Sequence, residues 1–81
     1  MSKVYVVISE TIYQSHDSHG LHGVFSTKSS AINTAISAIT SIAKRYYHEI
    51  DLEDICMDDL EFSYASGNLE IYLSCIEQEV R

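Results

Sequence analysis

The chain has no proline and no tryptophan, only three glycines and two cysteines, and five basic residues against twelve acidic ones. Each scarcity excludes something. Without proline, and with so little glycine, there is no polyproline segment and no flexible linker, so one α+β domain spanning residues 1–81 is expected. Cys56 and Cys75 allow one bridge at most, too few for the disulfide scaffolds that hold small secreted domains together. The opening MSKVYVVISE holds one lysine and an apolar run below signal-peptide length. No apolar run approaches the length of a membrane span. These absences lead to the expectation of a cytoplasmic protein with reduced thiols and no membrane contact.

The shortage of basic residues bears most on function. The formal net charge is −7, and the cations Lys3, Lys28, Lys44, Arg45 and Arg81 are scattered. Affinity for nucleic acid comes from lysine and arginine displacing counterions from phosphates, so direct nucleic-acid binding is not expected. Among charged partners, a basic protein is the better match. A chain of 81 residues also buries only a modest core, so a second copy is the expected further source of stability.

What is present is first a long amphipathic stretch, residues 26–47. Ala31, Ile32, Ala35, Ile36, Ile39, Ile42, Ala43 and Tyr46 recur at steps of three and four, the spacing of one helical face. Ser26 or Thr27 suits the N-cap, and Lys44 and Arg45 suit the opposite end of the dipole. Around it lie strand-like segments at residues 4–13, 21–25, 60–65 and 69–77 or beyond, rich in β-branched and aromatic residues. Residues 14–20 read as a polar loop. Ser66, Gly67 and Asn68 read as a tight turn, with Ser66-Gly67 as its two-residue loop and Phe62 opposite Ile71. Residues 49–61 form an acidic connection with one short helical turn capped by Asp51.

The expected fold is a two-layer ββαββ sandwich, one helix on a four-stranded sheet in the order 2-1-4-3, with 2-1-3-4 as the alternative. Alternation puts Leu69, Ile71, Leu73 and Cys75 toward the helix and Tyr72 and Ile76 away from it. In the first strand, Val4, Val6, Ile8 and Ile12 are expected to face the helix, with Tyr5 and Val7 outward. The element order resembles that of ubiquitin-like and immunoglobulin-binding β-grasp domains. The chain ends Glu77-Gln78-Glu79-Val80-Arg81 without a Gly-Gly pair, so a conjugating modifier is not expected. The segments VYVV and GVFSTKSSA are also similar to small phage and bacterial proteins with a strand, a GVFS-like strand end and a helix. That similarity covers only the first part of the chain and implies no chemistry.

Sites of chemistry are sparse. His16, His19 and His22, spaced H-x-x-H-x-x-H, are the one group with metal-ligand side chains, in a spacing that matches no known ligand motif. Ser15-His16-Asp17 has triad residue types, but adjacent residues rarely converge on one reacting atom. Cys56 and His48 have the residue types of a thiol nucleophile and its base, but a stretch this rich in acidic residues is a poor setting for one. The acidic run lacks the glycine and the D-x-D-x-D-G spacing of a calcium loop. No catalytic residue, metal site or cofactor is therefore expected.

The remaining features are surfaces. Tyr5, Val7, Tyr72 and Ile76 are expected to form an exposed apolar patch that pairs two chains. Asp51, Glu53, Asp54, Asp58 and Asp59 are expected to engage a basic protein. The expected function is a non-enzymatic binding or regulatory module, such as a small inhibitor. The alternatives are a metal-binding protein using the three histidines, or an enzyme with its site at a dimer interface.

Overall fold

The computed structural model describes residues 2–80, so the first and last positions of the expected domain lie outside the described residues. The chain runs through β1 (Ser2–Tyr13), β2 (His16–Phe25), α1 (Lys28–Arg45), a single 3-10 turn (Leu52–Asp54), β3 (Cys56–Asp58), β4 (Glu61–Ser66) and β5 (Leu69–Val80). One helix packs on one five-stranded antiparallel sheet of order β2-β1-β5-β4-β3. The expectation of four strands in the order 2-1-4-3 differs in detail. Residues 56–58, read as part of the acidic connection, pair with β4 and add a short edge strand. The connection from β2 through α1 to β3 therefore runs from one sheet edge to the other.

The helix begins where Thr27 turns extended and its Oγ1 accepts the Ser30 backbone N–H at 3.2 Å. Lys44 and Arg45 occupy the last turn, where their charges complement the carbonyl end of the dipole. Its buried face is Ala31, Ala35, Ala38, Ile39, Ile42 and Ala43. Ile32 and Ile36, expected on the same face, flank it half-buried. Alanines on the sheet side let the helix approach closely. Tyr46 covers the end of the core, its ring centroid 4.6 Å from that of Tyr13.

The two long hairpins meet at one end of the sheet. The first loop is only Gln14-Ser15, with φ of 49° and 69°, not the expected seven-residue loop at 14–20. Positive φ at both central residues is what a tight hairpin needs, usually supplied by asparagine and glycine. The Gln14 N–H donates to the Asn68 carbonyl at 3.2 Å and ties the two loops together. The second loop is Gly67-Asn68, with Gly67 at φ +59°. The register is therefore Phe62 opposite Leu73 and Tyr64 opposite Ile71, two residues from the expected pairing. A shift of two keeps every side chain on its face.

The first strand is where the expectation fails. Val7 is 0% exposed and Ile8 is 37% exposed. Ser9 and Thr11 are also buried, and Tyr5 and Tyr13 pack against the core. The helix-facing set is thus Tyr5, Val7, Ser9, Thr11 and Tyr13, and Val4, Val6, Ile8 and Ile12 face away. The reason lies in pairing. Val7 sits opposite Cys75, Ser9 opposite Leu73 and Thr11 opposite Ile71. Directly opposed residues share a face, so the strongly apolar face of β5 carries these residues of β1 into the core.

Candidate functional site

The sheet has one face under α1 and one open face, and the register places each side chain on the latter. Val24, Val6 and Ile76 form one cross-strand row, and Leu21 and Ile8 form the next. Leu21 is 68% exposed and Val24 57%, and Ile8 and Ile76 are also open to solvent. Further along the same strands the face turns acidic. Glu10 opposes Tyr72, Ile12 opposes Glu70, and Glu61 opposes Asp58 across β3 and β4. Tyr72 Oη donates to Glu70 at 2.7 Å, and this hydrogen bond holds the phenol above its ordinary pKa. His19 approaches Glu10 at 3.3 Å.

Two open grooves join the apolar and acidic halves. One, of about 510 Å³, runs between Ile8 and Ile76 on one side and Asp58, Asp59 and Glu61 on the other. The second, of about 490 Å³, lies among Glu10, Asp58, Glu61 and Tyr72. Both volumes are within the range that takes a side chain or small ligand. Their openness suits a partner's side chains better than an enclosed substrate.

The expected patch is corrected on this geometry. Tyr72 and Ile76 lie on the open face as anticipated. Val7 is wholly buried beneath the helix, and Tyr5 is on the same helix-facing side, so neither joins the patch. Their places are taken by Val6, Ile8, Leu21 and Val24. The acidic run is not one surface either. Ile50 and Ile55 anchor it in the core. Asp51 lies with Thr40, Lys44 and His48 at the end of α1, and the Asp54 carboxylate accepts the Asp51 N–H at 2.9 Å. Glu53 and Asp54 lie in the exposed 3-10 turn. Asp58 and Asp59 border the open face, where Asp59 also meets Lys28 at 3.4 Å.

The three histidines lie on β2, not in a loop, and they do not converge. His16 pairs with Tyr13 on the helix side, and His19 pairs with Glu10 on the open side. His22 is the extra residue of a bulge, since Val7 pairs with Gly23 and Ile8 with Leu21. Gly23 makes this bulge feasible: its φ is +143°, and a Cβ there would lie 2.8 Å from the Phe25 ring. Among the described residues no three histidine, cysteine or carboxylate side chains gather at one point.

The bulge creates a constellation that the sequence did not reveal. His22 Nε2 lies 2.7 Å from Ser9 Oγ, beneath the end of α1. A serine and a histidine at that distance have the spacing of a nucleophile and its base. The cavity they share contains no carboxylate to orient the ring. The polar interruption of β1 at Ser9 and Thr11 was the available signal. Of the cysteines, Cys56 is exposed, and Cys75 is buried with its Sγ 3.7 Å from the Ala31 carbonyl. Burial pushes the Cys75 thiol pKa up, which makes it a poor nucleophile.

No family model matches the chain, and no curated protein or solved structure is significantly similar to it. Among the described residues no helix is long and apolar enough to cross a membrane.

Proposed function

We propose that this protein is a non-enzymatic binding module in which the apolar half of the open sheet face pairs two copies. The acidic half of the same face then receives a basic protein. The observation that carries this reading is the contiguity of Val6, Ile8, Leu21, Val24 and Ile76 across three neighbouring strands. Exposed apolar groups gathered in this way mark interfaces, whereas scattered ones are ordinary.

The division of the face favours this arrangement. Two copies related by a twofold axis can bury their apolar halves while Glu10, Asp58, Glu61 and Glu70 stay apart. Like charges then avoid burial, and the acidic ends remain free to attract a basic surface. The metal-binding alternative is weakened by the placement of His19 on the sheet face opposite His16.

Analytical ultracentrifugation of the wild type and of Leu21→Glu and Ile76→Glu tests the pairing. The wild type is expected to sediment as a dimer, and both variants as folded monomers. A wild type that stays monomeric across the micromolar range refutes self-pairing. The basic partner is tested by capture from the source cells' extract, comparing wild type with the combined Asp58→Asn, Asp59→Asn, Glu61→Gln variant. Binding that is lost in the variant and at high salt supports the acidic half as the docking site. Equal capture by both proteins refutes it.

A further inference from the structure

We propose that the cavity beneath the C-terminal end of α1 is a binding site for a small oxyanion, a phosphate or a carboxylate group. It is independent of the open face and of dimerisation. The cavity measures about 160 Å³ and is bounded by Ser9, Thr11 and His22 on the sheet and by Ile42, Arg45 and Tyr46 on the helix side. That volume is well below the range for drug-sized ligands, so an ion or a single acidic group is the matching size.

The first argument is charge. The chain carries twelve acidic residues, yet no carboxylate lines this cavity. Four larger cavities among the described residues each hold at least one. Here the charged side chain is Arg45. Among the described residues the ion pairs engage Lys3, His19 and Lys28, and Arg45 has no carboxylate partner there. In a protein this acidic, an unpaired guanidinium at the mouth of an acid-free cavity is placed to accept an anion, which its fork of donors binds well.

The second argument is the supply of donors. Ser9 and Thr11 are buried hydroxyls on an otherwise apolar strand face. Among the described residues every fully enclosed polar side-chain atom has a hydrogen-bond partner, and Thr11, whose hydroxyl has no partner from the fold, lines the cavity. Ser9 Oγ and His22 Nε2 share a proton at 2.7 Å. When His22 Nε2–H is the donor, the Ser9 proton is free to turn to a ligand. An anion therefore selects one tautomer of His22. The carbonyl end of α1 opposes a negative charge. The Tyr46, Tyr47 and His48 N–H groups cap the Ala43 and Lys44 carbonyls, which reduces that opposition.

The test is a nuclear magnetic resonance titration of the full chain with inorganic phosphate, with acetate, and with chloride at matched ionic strength. Amide signals of residues 9, 11, 20 and 22 and the ring nitrogens of His22 are followed. Saturable shifts at these positions, with His22 moving to the Nε2–H form, are expected for phosphate, acetate or both. Saturation by phosphate alone assigns a tetrahedral ligand, saturation by acetate alone assigns a carboxylate, and saturation by both assigns a site for either oxyanion. Arg45→Gln and Thr11→Val should each weaken binding about tenfold or more, and Lys44→Gln should leave it unchanged. Arg45 is on the exposed helix end, so its variant reports on binding even if Thr11→Val fails to fold. No saturable shift with either anion, or an equal loss in Lys44→Gln, overturns the proposal.

Discussion

Truncating two neighbours on β1, one buried and one exposed, is the most direct test of the architecture. Val7 is 0% exposed under the helix, and Ile8, one residue later, is 37% exposed on the open face. Val7→Ala removes two methyl groups from a site with no solvent contact. Transfer contributes about 0.8 kcal/mol for each, and the cavity left behind adds roughly 1 kcal/mol, giving about 2–3 kcal/mol. Ile8→Ala removes a larger side chain. In an isolated protomer that side chain keeps much of its surface in water, so the loss should be about 1 kcal/mol. For a domain of this size each kcal/mol moves the melting temperature by about 4–8 °C, so the two variants separate clearly. Urea and thermal unfolding, each measured over a range of protein concentrations, decide the matter. Val7→Ala should cost the same at every concentration. Ile8→Ala should cost more as concentration rises if the proposed pairing buries Ile8, since mass action then favours the paired state. An Ile8→Ala variant that at low concentration is as damaged as Val7→Ala refutes the assignment of the two faces.

Other outcomes follow from single contacts. Thr27→Ala removes the acceptor for the Ser30 N–H and should destabilise the protein by about 1 kcal/mol in urea unfolding. Replacing Gln14-Ser15 by Asn-Gly relieves two left-handed residues and should raise stability by about 1–2 kcal/mol, read as a higher unfolding midpoint. Gly23→Ala should lower the melting temperature, because a Cβ at φ +143° meets the Phe25 ring; unchanged stability would mean that the bulge is not as described. Burial raises the Cys75 thiol from its ordinary value of 9.0. The unfolded chain then loses that proton first, so this contribution to stability is intact below pH 9.0 and is lost as pH rises through the folded value. The wild type should lose stability over that range more steeply than Cys75→Ala, as measured by urea unfolding at stepped pH.

The sequence by itself determined the elements with one clear period. Steps of three and four between Ala31 and Ala43 admit only a helix, and Leu69, Ile71, Leu73 and Cys75 admit only one buried strand face. Gly67 marked the second hairpin because it takes a left-handed φ without a Cβ penalty. Gln14-Ser15 carried no such mark, so a two-residue turn looked like a long loop and its histidines looked like loop residues. On β1 the period was visible but the choice of face was not. Val4, Val6 and Ile8 make one set as apolar as a core, and Tyr5, Val7 and Tyr13 make another. Local propensity is the same for both. The choice fell to pairing with β5, which sets Val7 against Cys75 and makes the more aliphatic set the open face. The cavity under α1 was equally beyond the sequence. Ser9, His22 and Arg45 come together only because β2 folds back on β1 with a one-residue bulge and the helix crosses above them. Tertiary structure decided these points because strand register and helix placement are contacts between segments, and a residue's own neighbours in the chain carry no record of them.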